Sequence, residues 1–249
     1  MQIAIITDVH GNYPALKAVL EDIERRKSIS HIYCLGDMIG IGPYTNEVLE
    51  MIFSRDDMSV LSGNHEEAVL HILAGKGILS GHEQAAKHHE WIASRLNPEW
   101  IPKLQALPVS LEWKAEGHQI LMVHYHRTND KLDAIDNEPS GDKLDTRYLN
   151  SGYDLVCFGH HHPVHYFKTD ARLYLNPGAL GCHHEPIARY GIVDLSVNRL
   201  DPSLIEVPYD NTDFIQSYER LQVPDRSFIL NVFHGNQHLV PKGGVAHEE

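Results

Sequence analysis

The sequence has little of several features that mark particular classes of protein. Its three cysteines lie far apart and form no C-x-x-C pair, which disfavours a disulfide framework. No apolar run approaches the ~20 residues that a membrane span needs. The chain also does not begin with a basic segment followed by an apolar core and a cleavage site. We therefore expect a cytoplasmic protein with no membrane association, in which Cys34 and Cys157 are small core residues.

Positive charge is also scarce, because 21 lysines and arginines stand against 34 aspartates and glutamates, for a formal net charge of -13. This balance argues against general nucleic-acid binding, which needs a basic surface. The sequence contains no internal repeat, low-complexity tract or interdomain linker. We therefore expect its 249 residues to form a single domain, 1–249, with residues 66–107 as a helical flank or partial lid and residues 236–249 as a frayed tail.

Histidine, by contrast, is abundant, with 19 residues. A metal site uses only a handful of histidines, so the informative ones are those that follow strands. We expect His82, His88 and His89 to lie on a solvated helix face, because no second ligand type accompanies them at i+3 or i+4.

Five short apolar runs each end in side chains that can bind a metal ion. The first run, residues 3–6, is β-branched and barely alternates, which is typical of a strand buried on both faces. Ligands bind at the carboxyl ends of strands in open α/β sheets. Asn64 is equally suited to cap the helix that begins near Glu66. The polar residues that follow the five runs are Asp8, His10, Asp37, Asn64, His65, His124, His160 and His162.

The order of the runs predicts how these groups meet. Strand, helix and strand in the first half give a parallel pair, so Asp8 and Asp37 emerge on one edge, where two carboxylates repel unless a cation lies between them. Residues 109–124 read as a hairpin, residues 130–147 as a mobile loop and residues 212–235 as helix. Because the second half is mostly strands, we expect two sheets packed face to face with helices outside. No cysteine belongs to the polar set, which disfavours a structural zinc site.

The strand-end motifs resemble those of a known family. Asp8-Val9-His10, Gly36-Asp37, Gly63-Asn64-His65-Glu66, His124 and Gly159-His160-His161-His162 together resemble the signature of the calcineurin-like metallophosphoesterases, over about residues 3–195. Residues 36–49 and Asn176-Pro177-Gly178 also resemble its small bacterial branch, which is related to diadenosine tetraphosphatases and protein phosphatases. The resemblance implies an α/β fold, a four-layer α/β/β/α sandwich of two mixed β-sheets flanked by helices. It also implies two divalent metal ions.

The resemblance further implies a role for each residue. Asp8, His10 and His162 would hold the first ion, Asn64, His124 and His160 the second, and Asp37 would bridge them. His65 would be the acid near the leaving oxygen, since an imidazole with an ordinary pKa near 6.5 can supply a proton. Manganese is favoured over iron, zinc, nickel or cobalt, although nitrogen and oxygen ligands suit them all.

The implied activity is hydrolysis of phosphate esters or anhydrides by a metal-bridging hydroxide. A phosphatase is favoured, and the alternative is a dinucleoside polyphosphate hydrolase or a phosphodiesterase. Its substrate would be a phosphorylated small molecule, a nucleotide or a phosphoprotein. A metal-dependent binding or scaffold module is the non-enzymatic alternative. Oligomeric state does not follow from the sequence.

The fourth motif departs from the family, because Tyr125 stands where a glycine is usual. This side chain would narrow the pocket or shift His124, and His126 then competes as a ligand. We favour His124, since it directly ends the apolar run. Arg127 is a candidate substrate-binding residue whose planar fork suits phosphate oxygens, and equally a candidate for a rim salt bridge. His161 would point away from its neighbours in an extended segment and is taken as non-ligating.

Overall fold

Twelve strands and eight α-helices form within residues 1–197 and 199–239, which the computed structural model describes. The strands are β1 (Gln2–Ile6), β2 (Ile29–Cys34), β3 (Met58–Val60), β4 (Ser110–Ala115), β5 (His118–Val123), β6 (Arg127–Thr128), β7 (Lys131–Leu132), β8 (Leu155–Cys157), β9 (His165–Lys168), β10 (Leu173–Asn176), β11 (Ile187–Ser196) and β12 (Arg199–Pro208). The helices are α1 (Tyr13–Arg26), α2 (Thr45–Phe53), α3 (Asn64–Leu73), α4 (Ala86–Arg95), α5 (Trp100–Gln105), α6 (Gly141–Arg147), α7 (Thr212–Arg220) and α8 (Arg226–Val232).

Ten of the described strands form two mixed sheets. The first sheet has the order β12-β11-β1-β2-β3, and the second has the order β4-β5-β8-β10-β9. In the first, β1, β2 and β3 are parallel, and in the second, β5, β8 and β10 are parallel. The outer pairings are antiparallel, including the predicted hairpin of β4 and β5. The loops after β1, β2 and β3 therefore leave the first sheet at one edge.

Alternate side chains of β1 pack into two different cores, as the apolar run predicts. Ile3 and Ile5 contact the second sheet, whereas Ala4 and Ile6 pack against the helices outside the first. All four are fully buried, and burial of a large aliphatic side chain contributes on the order of 2 kcal/mol. Because β1 packs against the second sheet on one face and against helices on the other, the layers follow the order helices, first sheet, second sheet, helices. The predicted α/β/β/α sandwich is thus confirmed.

The outer face of the second sheet is covered by a segment that the sequence predicts to be a mobile loop. Within residues 130–147, β7 and α6 form regular structure, so that prediction is wrong over those elements. Ser140 caps α6 by accepting a hydrogen bond from the Lys143 amide at 3.3 Å. Leu144 then packs beside Tyr174 and Val156, and this apolar contact holds the helix on the sheet.

The flank and the C-terminal segment are helical where they are described. Residues 66–107 contain α3, α4 and α5, joined in part by a 3-10 turn at Glu83–Ala85. Helices α7 and α8 cover Ile41, Ala179 and Cys182 next to the loops of the first sheet. Gln237–Leu239 form a second 3-10 turn, and residues 240–249 of the predicted tail lie outside the described residues. None of the helices described has the length and apolar character that crossing a bilayer requires.

Candidate metal centre

The loops after β1, β2, β3, β5 and β8 bring the predicted polar side chains to one edge of the sandwich. Each loop follows a strand that lies parallel to its neighbour, so the five ends open in one direction. Their assignment as metal ligands and catalytic groups stays a prediction. The side chains that the structure gathers there are Asp8, His10, Asp37, Asn64, His65, His124, His160 and His162.

Two imidazoles face each other beside a buried carboxylate in the first part of the site. His10 Nε2 lies 3.0 Å from His162 Nε2, and these two atoms lie 3.7 and 3.8 Å from Asp8 Oδ1. His10 Nδ1 donates to the carbonyl of Ile39 at 3.2 Å, which directs the lone pair of Nε2 into the site. Burial lowers the pKa of His10 well below its usual value, and His162 adds to that effect. Two facing imidazole nitrogens beside a carboxylate form a group of ligand atoms that suits a cation.

A second group of acceptors converges around His124. Its Nε2 lies 3.2 Å from Asp37 Oδ2 and 2.9 Å from Asn64 Oδ1. His124 Nδ1 faces the carbonyl of Leu35 at 2.9 Å, so its proton is used there and the other nitrogen is left with a lone pair. Three electron-rich atoms that face one another are stable only with a proton or a cation among them.

Asp37 lies between the two groups. Its carboxylate is within 4.8 Å of ligand atoms of His10 and His65, and within 4.8 Å of those of His124 and His160. Burial opposes its charge, but the surrounding imidazoles, led by His124, hold the pKa of Asp37 well below its usual value. Although burial acts against it, Asp37 raises the pKa of His124 to about 9. An imidazolium thus balances the carboxylate in the metal-free protein, and metal binding would release that proton.

Four of the gathered residues have a strained backbone. The φ angles are 53° at Asp8, 50° at His10, 52° at Asp37 and 64° at His160. Left-handed conformations of this kind cost a residue with a side chain on the order of 1–3 kcal/mol, and they concentrate at functional sites. Asp37 and His160 each follow a glycine directly, and Asp8 and His10 lie in the short loop after β1.

Glycine is required where the ends of the two sheets meet. A Cβ at Gly159 would collide with Thr7 Oγ1 and lie 2.8 Å from Asp8 Oδ2. Thr7 Oγ1 donates to that same oxygen at 2.8 Å, and the amide of His160 also donates to it, at 3.0 Å. Because Gly159 has no side chain, the loop after β8 of the second sheet comes close enough to hydrogen-bond the Asp8 carboxylate of the first sheet.

Glu66 holds the backbone around the site through hydrogen bonds, a role that the sequence does not predict. Its buried carboxylate accepts hydrogen bonds from the amides of Asp37, Met38 and Gly63 at 2.8 Å and of Ile39 at 3.1 Å. Glu66 thereby fixes the loop after β2 to the start of α3. Its position three residues after Gly63 is that of a capping-box glutamate, a signal that was available in the sequence.

His89 is a second residue that the sequence does not assign to the site. Its Nε2 lies 2.8 Å from His65 Nδ1. The prediction that His88 and His89 are solvated is wrong, because they are 3% and 0% exposed. Both lie on the face of α4 that carries Ile92, four residues after His88, and this spacing is the signal for burial.

The pKa of His65 also differs from the ordinary value. Burial lowers it to about 3, although Asp37 acts in the opposite direction. His65 is therefore neutral near pH 7 in the metal-free protein. It can act as an acid only when a bound anion stabilises its imidazolium.

The residues around the fourth motif lie in different parts of the structure. His126 Nδ1 lies 3.0 Å from Tyr148 Oη on the outer face of the second sheet, away from Asp37, whereas His124 reaches the site. Tyr125 packs its ring 5.0 Å from that of His160 and belongs to the apolar cluster on the outer face of the second sheet. His161 packs against a neighbouring histidine and belongs to none of the candidate metal groups among the described residues.

Two further side chains border the site. Arg127 Nη2 contacts Glu67 Oε1 in an ion pair, as in the salt-bridge alternative, and its contact with phosphate stays a prediction. Cys182 Sγ lies within 4.8 Å of ligand nitrogens of His10 and His162, so a thiol does border the set, contrary to the prediction. Burial raises the pKa of Cys182 well above its usual value, which keeps it protonated in the metal-free protein.

Residues 1–198 match the family model of the calcineurin-like phosphoesterase superfamily domain. An uncharacterized protein of Methanocaldococcus jannaschii is 31% identical over 237 residues, which cover 88% of this chain and 91% of that protein. A symmetrical bis(5'-nucleosyl)-tetraphosphatase of Paracidovorax citrulli is 29% identical over 134 residues. The match covers 50% of this chain and 44% of that relative, so it spans less than half of the relative's length.

Solved structures share the architecture. A hypothetical protein from Pyrococcus horikoshii superposes with a TM-score of 0.78 at 22% identity, covering 94% of this chain and 98% of that one. A metallophosphoesterase from Sphaerobacter thermophilus gives a TM-score of 0.69 at 23% identity, with coverage of 92% and 97%. At these identities the likeness shows the fold alone.

Proposed function

The chain belongs to the calcineurin-like phosphoesterase superfamily, and on that premise we propose that it is a binuclear, metal-dependent phosphoesterase. The proposed reaction is hydrolysis of a phosphate ester or anhydride, with a phosphatase favoured. The observation that carries the proposal is the convergence of buried carboxylates with imidazole nitrogens whose other nitrogen already faces a backbone carbonyl. Such an arrangement leaves lone pairs that only a cation or a proton can satisfy.

The distances favour one distribution of ligands over two ions. Asp8, His10 and His162 form one group around the facing imidazoles, and Asn64, His124 and His160 form the other. Asp37 belongs to both neighbourhoods, which supports its role as the bridge. Nitrogen and oxygen donors suit Mn²⁺, which we favour, as well as iron, zinc, nickel and cobalt. The nearby Cys182 adds a softer donor at the first group.

The chain's own groups have separate tasks around a bound phosphate. The two ions, when bound, would polarise the phosphoryl oxygens and lower the pKa of an attacking water. Asp37 fixes the positions of both groups of ligands, and Asn64 presents its amide to the second group and to the substrate. His65 donates a proton toward the leaving oxygen, with its Nδ1 held by His89. Burial of these groups excludes competing water and strengthens each electrostatic contact.

A dinucleoside polyphosphate hydrolase is the second candidate. The relative from Paracidovorax citrulli, named as a symmetrical tetraphosphatase, favours it. A phosphodiesterase and a metal-dependent scaffold are the remaining alternatives. They differ in turnover, since only a scaffold binds metal without hydrolysing any phosphate compound.

The proposal is tested with metal-free protein that is reloaded with Mn²⁺ and given 4-nitrophenyl phosphate, bis(4-nitrophenyl) phosphate and diadenosine tetraphosphate. We expect release of nitrophenol only after reloading, and a loss of kcat/KM of about a hundredfold or more in Asp37→Asn. Asp56→Asn is the matched control, because Asp56 is an exposed carboxyl outside the site. Equal activity with and without metal would exclude metal dependence, and metal binding without any turnover would favour the scaffold.

A further inference from the structure

A cavity of about 780 Å³ opens over the candidate metal centre. Asn64, His65 and His160 belong to its lining, so a phosphoryl group at the centre would extend its organic part into this space. The volume lies within the range of small-molecule sites, roughly 300–1,000 Å³. The side chains of this cavity should therefore select the organic part of the substrate.

Much of the remaining lining is apolar. Phe233 places its ring 5.5 Å from the ring of His162, and the Phe228 ring follows at 6.2 Å, at 83° to the first. Phe228 is 60% exposed and Ile135 is 39% exposed, an unusual state for large apolar side chains beside a polar centre. The apolar residues of this wall are Ile41, Leu132, Ile135, Phe228, Ile229 and Phe233.

The aromatic part of this wall comes from beyond the shared family domain. The family match ends at residue 198, whereas Phe228 belongs to α8 and Phe233 follows it directly. The aromatic part of the wall is therefore an addition of the C-terminal segment to the site at the sheet edge. Selectivity that arises from it would be particular to chains that carry these helices.

Charge around the cavity is unfavourable to a polyphosphate. Among the described residues, the lining includes the carboxylates Asp133 and Asp225 but neither a lysine nor an arginine. Two cations close to it already have partners, since Arg147 contacts Asp133 and Arg226 Nε lies 2.6 Å from Glu219 Oε2. A chain of several phosphates needs arginine or lysine to offset its repulsion, and the Asp225 carboxylate of this wall would add to that repulsion.

We infer that the cavity binds an uncharged planar ring of a phosphate ester against Phe228 and Ile135, with one phosphoryl group at the metal centre. This inference rests on the proposed phosphoesterase function and adds the class of substrate to it. A ring that lies against an aromatic side chain buries apolar area and gains from stacking geometry. The phosphoryl group needs no cation from the wall, because the metal centre receives its charge.

The test compares two non-hydrolysable phosphonates as competitive inhibitors of the full-length, Mn²⁺-loaded protein. Phenylphosphonate and methylphosphonate carry the same charged group and differ in the ring. We expect phenylphosphonate to have a Ki about tenfold lower, as burial of part of a ring implies. Phe228→Ala should reduce that ratio to about twofold, and Phe228→Leu should restore part of it. Tyr166→Ala is the control, since Tyr166 is 48% exposed on β9, outside this cavity.

The outcomes separate this inference from the proposed function. Hydrolysis of 4-nitrophenyl phosphate with equal Ki values for the two phosphonates would overturn the ring site and leave the function standing. A ratio that Phe228→Ala leaves unchanged would also overturn it, as would stronger inhibition by magnesium tripolyphosphate than by phenylphosphonate. If no phosphate ester is hydrolysed, the function fails, and calorimetric binding of the same two phosphonates still tests the cavity.

Discussion

At the scale of single residues, His89 sets the tautomer of neutral His65. Among the described residues, His89 Nδ1 is buried without a hydrogen-bond partner, while its Nε2 lies 2.8 Å from His65 Nδ1. A proton on Nδ1 of His89 would be buried without an acceptor, so the proton belongs on Nε2 and is donated to His65. Burial lowers the pKa of His89 to about 4, which keeps the ring neutral. In the metal-free protein, neutral His65 then carries its own proton on Nε2. When a bound anion stabilises its imidazolium, His65 gains a second proton on Nδ1, and His89 Nε2 becomes the acceptor of that contact.

This arrangement makes His89 a positioning residue for the proposed acid. In His89→Ala we expect kcat to fall by roughly ten- to a hundredfold with a nearly unchanged KM, because loss of an orienting partner affects the transition state more than binding. Steady-state kinetics of the Mn²⁺-loaded protein on 4-nitrophenyl phosphate measures both constants.

The controls for His89 separate positioning from packing. His89→Gln retains a side-chain N–H donor and should recover part of kcat, whereas His71→Ala removes a half-buried histidine of α3 that lies outside the site and should change nothing. A wild-type kcat in His89→Ala would show that His65 needs no partner. A fall in KM and kcat that His89→Gln does not relieve would indicate a packing defect instead.

At the scale of strands and helices, the sequence predicts the features that depend on the residues of one element alone. It does not predict the features that depend on how a neighbouring element packs. Residues 3–6 are a strand buried on both faces because their own pattern shows it, and the turn residues after each run mark where the strands end. The burial of His88 and His89 depends on the neighbours of α4, since Asp225 lies near His88 and His65 contacts His89, and the spacing to Ile92 is a local signal of it. Helix α6 was missed because its core contact is the single side chain of Leu144. The order of strands and helices along the chain predicts two sheets packed face to face with helices outside, and the family resemblance implies the same four layers.

The end of β8 is the element boundary on which the site depends most. In Gly159→Ala the added methyl group would collide with Thr7 Oγ1 and crowd the Asp8 carboxylate, so the ends of the two sheets must separate. We expect loss of bound metal and a melting temperature several degrees lower, in line with roughly 1–3 kcal/mol for overpacking. Metal analysis and thermal unfolding measure the two effects.

Gly152→Ala is the matched control for this boundary. Gly152 lies just before β8, and a Cβ there would meet no heavy atom within 4 Å. Its metal content and melting temperature should equal those of the wild type. Full metal occupancy in Gly159→Ala would show that the sheets tolerate a wider separation than the described contacts imply.

At the scale of the whole molecule, the sandwich is polar where the strand ends meet and apolar elsewhere, and it buries histidines beyond the metal centre. His88 lies on α4 near Asp225, and His234 Nε2 forms a hydrogen bond of 2.9 Å with Tyr218 Oη. Burial lowers the pKa of His88 to about 4 and that of His234 to about 3. Composition alone gives the number of histidines, but only packing decides which of them cannot take up a proton.

These two histidines predict how stability depends on pH. In the folded protein the pKa of each lies below the usual 6.5. Between pH 6.5 and about 4, the unfolded chain therefore binds protons that the folded protein does not bind. The stabilisation is complete above pH 6.5 and is lost as the pH falls, at up to about 1.4 kcal/mol per pH unit for each histidine. Urea unfolding of chelator-treated protein at pH 7, 6 and 5 should show a smaller slope in His88→Gln/His234→Gln than in the wild type. His238→Gln, which removes an exposed histidine, should keep the wild-type slope. If the double variant also keeps it, both rings take up their protons in the folded state and the sandwich does not hold them neutral.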